Sequence, residues 1–525
     1  MAGLTRRQFG KVAAIAPVAA PGILRGGADV GKLGGGAHDL TILYTNDFHS
    51  AFEPIPAYWL RGSPRLGGAA HLATLVERER ATAKRVFLFD SGDMFTGTLS
   101  TLTEGEALLE MMSLMRYDAM GIGNHEFDYG WQAFDRGALR VPFPMLCCNI
   151  RHRGTGIRFT RPYALLERDG VRVGVLGVMG LNAARFTIMP SKVAELEFTD
   201  PVAEAKACVA ELRGTVDVIV ALAHQGLPGP MQTDAENDPE VQRPLDEDLA
   251  FCAAVPGIDV YIAAHSHRGL EQPIVHPDTR TLITQTYGYG TRLGRIRLKV
   301  KDRKVAAHDV ELLKVWSEQL PADAAVAARV AHYRERMAEQ IGPPIGRATA
   351  RFIRKYRRES TLGNFCTDAM RARSGADVAL TNAGGLRADL PEGVLNAGHV
   401  IDAFPFHNHT VTLDLPGHAL KEALEHGFSL RVGMVQVSGL RARYDLARPV
   451  GARLVSLEVG GKPVEAARNY RVATNSFLAE GGDGYLALKA GREVARAPLI
   501  SEVLTEHIKA AKTVTPPELG RLIPV

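Results

Sequence analysis

The chain has 525 residues, 46% hydrophobic and 23% charged, with 53 Gly and 29 Pro. That length exceeds what one core organises and points to two domains, while the composition excludes disordered, collagenous and coiled-coil chains. The formal charge of +4 would suit an acidic partner if it were spread over the whole molecule.

It is not spread. Residues 1–37 hold Arg6, Arg7, Lys11, Arg25 and Lys32 against Asp29, so they carry the whole positive excess, and the chain from His38 onward is formally neutral. Arg6 and Arg7 precede Phe9 and Lys11, and residues 12–24 form an Ala-rich apolar run too short to cross a bilayer. The order T-R-R-x-F-x-K before a weakly hydrophobic run resembles a twin-arginine export signal. Residues 1–37 are therefore expected to be a signal peptide read by the twin-arginine export machinery. The expected destination is periplasmic or extracellular, with no membrane span in the mature chain.

Beyond this leader, TILYT, RVFLF, RVGVLGV, DVIVALA and DVYIAA are short, β-branched apolar runs that predict buried strands. GGAAHLATLVERER and EGEALLEMMSLM between them carry amphipathic helical spacing. The alternation predicts an α/β layered domain over residues 38–320. Cys147 and Cys148 in PFPMLCCNI read as small apolar residues of a buried strand, and five cysteines are too few for a disulfide framework. Residues 301–309 are polar and read as a connection, with a hinge expected after about Asp302. A helix over residues 323–340 puts Val326, Val330, Tyr333 and Met337 on one face, and Gly342-Pro343-Pro344 ends it. Residues 321–344 thus form a helical linker, and residues 345–525 form a second α/β unit.

Five stretches of the first domain place polar residues at or just after a strand end. TILYTNDFH supplies Asp47 and His49, RVFLFDSGD supplies Asp93, and MGIGNHEFD supplies Asn124, His125 and Asp128. VIVALAHQG supplies His224, and VYIAAHSH supplies His265 and His267. The carboxyl ends of strands are where loops of a layered domain converge on ligands. Mixed Asp, Asn and His donors without thiolates suit catalytic Mn, Fe, Co or Zn, not structural zinc.

In this order the segments resemble the calcineurin-like dinuclear metallophosphatases, and within them the exported 5′-nucleotidase/UDP-sugar hydrolase family, over nearly the whole mature chain. GNHEFDYG is the most specific piece. The resemblance implies a four-layer αββα metallophosphatase domain, then the family's C-terminal α/β substrate domain. It implies two divalent ions, with Mn, Co or Zn foremost. Asp47, His49 and His267 would hold one, Asn124, His224 and His265 the other, with Asp93 bridging them. His125, paired with Asp128, would be the catalytic imidazole that is not a ligand. Alanines replace the usual glycines in AAHSH, and LAHQG lacks a common serine; neither change removes a ligand.

In the second half, RRESTLGNF, TNAGGLR, DAFPFHNH and NSFLAEGGDGY look like the family's nucleotide pocket. The resemblance makes Phe406 and Phe477 the aromatics between which a base stacks. Arg358 and Arg387 would grip phosphate or ribose oxygens, and Asn382 and Asp483 would contact ribose or base. The implied activity is removal of phosphate from nucleotides, including nucleotide sugars, by attack of a metal-activated hydroxide, with the C-terminal domain rotating during turnover. A 2′,3′-cyclic-nucleotide phosphodiesterase/3′-nucleotidase would share this metal site. The thiosulfohydrolase branch alters the GNHE stretch, which is intact here. No basic stripe with interleaved aromatics marks a nucleic-acid polymer as partner.

Overall fold

A computed structural model describes residues 38–57, 59–228 and 245–525, so the leader read as an export signal lies outside the described residues. Twelve strands of the first domain form two six-stranded sheets. They are β1 (His38–Thr45), β2 (Val86–Asp90), β3 (Ala119–Gly121), β4 (Met145–Leu146), β5 (Tyr163–Arg168) and β6 (Val171–Met179), followed by β7 (Val218–His224), β8 (Val260–Ala263), β9 (Ile274–Val275), β10 (Leu282–Thr284), β11 (Arg292–Lys301) and β12 (Lys304–Lys314).

One sheet runs β12-β11-β1-β2-β3-β4 and the other β9-β10-β8-β7-β6-β5. Each has four parallel strands, β1 to β4 in the first and β6, β7, β8 and β10 in the second, with antiparallel strands on one side of the first set and on both sides of the second. Side chains alternate across a strand, and that alternation builds the layers. Ile42, Tyr44, Phe87 and Phe89 face Val218, Val220 and Leu222 between the sheets. Leu43, Leu88 and Met120 turn outward under the helices Ala69–Thr82 and Glu106–Leu114. Ile219, Ala221 and Ala223 turn outward under Pro201–Leu212 and Asp246–Ala254. The result is a four-layer αββα sandwich whose parallel strands all end on one side.

The structure corrects two expectations here. Residues 301–309 are not a connection: Asp302 and Arg303, with φ of 51° and 58°, turn β11 back into β12. β12 is polar because it is an edge strand, mostly exposed, and the chain leaves the sheet only after Lys314. No hinge lies at Asp302. Cys147 and Cys148 are fully buried and free, but they follow β4, whose ladder with the three-residue β3 ends at Leu146.

The helix Ala324–Ile341 is capped by Asp323, whose Oδ1 accepts from the Val326 amide at 3.0 Å. It buries Val326, Val330, Tyr333 and Met337 and packs on Ala69–Thr82 and Glu106–Leu114. The second domain centres on a five-stranded sheet of β13 (Val378–Thr381), β14 (His409–Pro416), β15 (Gln436–Ser438), β16 (Asn469–Asn475) and β17 (Arg492–Leu499), in the order β15-β13-β16-β14-β17. Helices Thr361–Ser374 and Ile500–Ala511 cover one face, and Gly417–Phe428 covers the other. The domains touch through polar pairs. The Ser191 amide and hydroxyl donate to Glu480 at 3.1 Å, Thr101 donates to the Pro405 carbonyl at 3.0 Å, and the Thr98 hydroxyl donates to Asp402. No helix among the described residues is long and apolar enough to cross a membrane.

Candidate metal centre and substrate cavity

All five strand-end segments meet. Asp47 and His49 follow β1, Asp93 follows β2, Asn124 and His125 follow β3, His224 ends β7, and His265 and His267 follow β8. Two parallel cores, one per sheet, therefore aim their carboxyl ends at one point. The ligand atoms of Asp47, His49 and His267 lie within 4.8 Å of one another, as do those of Asp93, His224 and His265. Asp93 forms a third such group with His49 and His125, which places it between the other two.

The backbone is bent to do this. Asp47, His49, Asp93, His265 and His267 all take positive φ, between 46° and 70°, a conformation that non-glycine residues adopt rarely and that clusters at functional sites. The loops also approach closely. A Cβ on Gly123 would lie 2.2 Å from Asp93 Oδ1, and one on Gly92 would lie 2.3 Å from the Gly123 nitrogen. Only glycine fits there.

The donor set suits divalent cations. His224 Nδ1 is 3.0 Å from the Ser91 carbonyl, so that nitrogen donates and Nε2 faces the site. Nε2 is 3.0 Å from Asn124 Oδ1, 3.1 Å from Asp93 Oδ2 and 3.2 Å from His265 Nδ1. Burial opposes a proton on His224, but the Asp93 carboxylate outweighs it and raises the imidazole to about 9. A proton thus sits where oxygens and lone pairs crowd, and a divalent cation displaces it there. His49 Nε2 and His267 Nε2 face each other at 3.0 Å, and His265 Nε2 is buried without a hydrogen-bond partner. Burial holds His49 and His265 well below the usual range, reinforced by Arg387 at His49 and by His224 at His265, which suits both rings to act as neutral donors.

His125 is held differently. Its Nδ1 donates to both oxygens of Asp128, at 3.0 and 3.1 Å, and Thr96 donates to Asp128 at 2.9 Å. Burial would lower it, but the Asp128 and Asp93 carboxylates raise it above the ordinary histidine value. Nε2 points inward, 3.9 Å from Asp93 Oδ2.

Beside the centre a cavity opens between the domains, with Asp93, His125 and His265 on one wall and Asn382, Arg387, Phe406, Phe477 and Asp483 on the other. Arg387 reaches across, its Nη2 3.4 Å from His49 Nε2, and its buried Nε has no hydrogen-bond partner. Asn382 Nδ2 donates to Asp483 Oδ2 at 2.7 Å, and burial pushes Asp483 up to about 7. Arg358 is exposed and is not among the residues lining this cavity, while its peptide carbonyl accepts from Gln436 Nε2 at 3.1 Å. The stretch around it is irregular, so a four-residue spacing from Arg354 does not place both on one side. Burial raises the Tyr289 hydroxyl beside His49 above its ordinary value, and Arg387 and Arg354, the latter not singled out from the sequence, lie close enough to oppose part of that rise.

Glu126 was also missed, although it stands next to His125 in the motif. It is fully buried and accepts from the amides of Gly123, Asp93, Met94 and Phe95 at 2.7–3.2 Å. It ties the Asp93 loop to the Asn124 loop.

Residues 40–269 match the family model of calcineurin-like phosphoesterases, and residues 344–490 match that of the 5′-nucleotidase C-terminal domain. The chain is 28% identical to a snake venom 5′-nucleotidase of Naja atra, over 93% of this chain and 99% of that one. It is 28% identical to the protein UshA of Yersinia enterocolitica, over 90% of this chain and 91% of the other. A solved 5′-nucleotidase precursor of Thermus thermophilus superposes with a TM-score of 0.82 at 29% identity, covering 93% of this chain and 99% of that one.

Proposed function

Because the chain belongs to the family that joins a calcineurin-like phosphoesterase domain to a 5′-nucleotidase C-terminal domain, we propose that it is a metal-dependent phosphohydrolase that removes phosphate from nucleotides, acting as a 5′-nucleotidase. The observation that carries this reading is one cavity bounded by Asp93, His125 and His265 on one side and by Arg387, Phe406 and Phe477 on the other. A phosphate and a base are thereby given separate walls.

Asp47, His49 and His267 would hold one divalent ion and Asn124, His224 and His265 the other, with Asp93 shared between them; Mn, Co or Zn would fit these donors. When bound, such a pair supplies Lewis acidity and an activated water. The chain's own groups do the rest. Arg387 offers a guanidinium to the phosphate oxygens, with a buried Nε that has no hydrogen-bond partner. His125, held cationic by Asp128, donates from Nε2 to the charge that develops on the phosphoryl group or to the leaving oxygen. Phe406 and Phe477 present rings to the base, and Asn382 and Asp483 present polar atoms to the ribose or base. Export rests on Arg6 and Arg7 and the run after them.

The test is phosphate release from nucleoside 5′-mono-, di- and cyclic phosphates and UDP-glucose, with Mn, Co, Zn and Mg compared. A 5′-monophosphate should be the best substrate. No release from any of them with any ion would overturn the reading.

A further inference from the structure

The Phe406 ring does more than wall the base cavity. It lies on the His125 imidazole, with ring centroids 5.6 Å apart and planes inclined by 25°, within the range of offset aromatic stacking. The other restraints on His125 act at its edge. Asp128 accepts from Nδ1, and His49 meets the ring side-on, with centroids 5.2 Å apart and planes at 79°. These contacts set the tautomer and one direction of the ring, and neither stacks on it. Phe406 does.

Phe406 is itself braced by the second domain. The buried Phe404 meets it at 89° with centroids 6.0 Å apart, and the Arg387 guanidinium lies 5.8 Å from its centroid. We propose that Phe406 is a positioning residue for His125, so that the second domain sets the orientation of an imidazole belonging to the first. This inference rests on the reading of His125 given above. It makes one ring serve both the base cavity and the reacting phosphoryl group. It also makes the catalytic geometry complete only when the domains are arranged as they are here.

A substrate without a base separates the two roles. With glycerol 3-phosphate, Phe406→Leu should lower kcat at least about tenfold, part of the roughly 10²–10⁴ that a positioned acid–base group contributes. KM should change less than about twofold, and bound metal should not change. Phe406→Tyr, which keeps the flat face, should restore kcat to within about twofold. If Leu lowers the melting temperature, Met replaces it, filling similar space without a flat face. In a His125→Ala background the loss from Phe406→Leu should vanish, because both changes remove one interaction. Wild-type kcat in Phe406→Leu on glycerol 3-phosphate, or losses that multiply in the double variant, would overturn the proposal. A wild-type protein inactive on both glycerol 3-phosphate and nucleotides would instead remove the reading beneath it.

Discussion

Glu126→Gln tests how the metal centre is built. The Glu126 carboxylate takes two amide protons on each oxygen: Oε1 from Met94 and Phe95 at 2.8 and 3.2 Å, and Oε2 from Asp93 and Gly123 at 2.9 and 2.7 Å. Burial and the Asp93 charge raise its pKa to about 7, so at pH 8 it is ionised and accepts all four. A glutamine amide keeps one acceptor oxygen and turns an NH2 group toward the remaining two N–H groups. Two hydrogen bonds to a charged acceptor, worth about 1.5–3 kcal/mol each, are lost, or about 3–6 kcal/mol in all. That is a large share of the roughly 5–15 kcal/mol that holds a domain folded. The chain's cheaper response is to part the Asp93 loop from the Asn124 loop. The expected outcome at pH 8 is less than one ion per chain after desalting, turnover down by at least about 10², and a melting temperature lower by roughly 10 °C. A variant that keeps two ions, near-normal turnover and its melting temperature would refute the argument that this carboxylate ties the two loops.

Four further outcomes follow from the same geometry. His125→Ala should cut kcat by roughly 10²–10⁴ while bound metal stays unchanged, as measured by elemental analysis beside steady-state kinetics. Phe477→Ala should weaken nucleotide binding by about 1–3 kcal/mol and leave glycerol 3-phosphate turnover nearly unaffected. Asp483 has a folded pKa of about 7, above the ordinary carboxylate value, so its contribution to stability is present in acid and lost as pH rises through 7. Asp483→Asn should therefore melt higher relative to wild type at pH 8 than at pH 5, and an equal difference at both pH values would contradict that. Pairing Cys at Ser191 and Glu480, whose side chains meet at 3.1 Å, should tie the domains together and slow nucleotide turnover until a thiol reductant is added; unchanged turnover in the oxidised protein would show that the domains need not part there.

What the sequence disclosed was local. The five predicted strands of the first domain are present, and the face of Ala324–Ile341 is buried at the four positions its spacing names, because a period is a property of one element. The convergence of the proposed ligand residues was legible because each stands at a strand end, and parallel strands bring their ends together without further information. The misreadings lie where position depends on partners. β12 is polar because nothing covers it, and polarity alone does not distinguish an edge strand from a loop. The left-handed backbone at Asp47, His49, Asp93, His265 and His267 has no signature in residue type, since none of them is glycine. Its neighbours Gly92 and Gly123 are the visible trace of the same crowding.

The neutrality of the chain from His38 onward sharpens what the site must do for itself. A chain of zero net charge gives an anionic substrate no net long-range attraction, so the placed groups near the phosphate matter most for attraction. The first domain supplies only part of it, because the carboxylates of Asp47 and Asp93 offset part of any bound cation's charge. On the proposed reading the remainder comes from His125, whose proton Asp128 and Asp93 favour against burial, and from Arg387, which the second domain extends to within 3.4 Å of His49. Charge for the phosphate is therefore divided between domains, just as the rings for the base and the imidazole meet at Phe406. A second domain that supplied specificity alone would need to touch only the nucleoside. One that also supplies Arg387 and braces His125 is part of the machinery for every phosphate ester, including those with no base to bind.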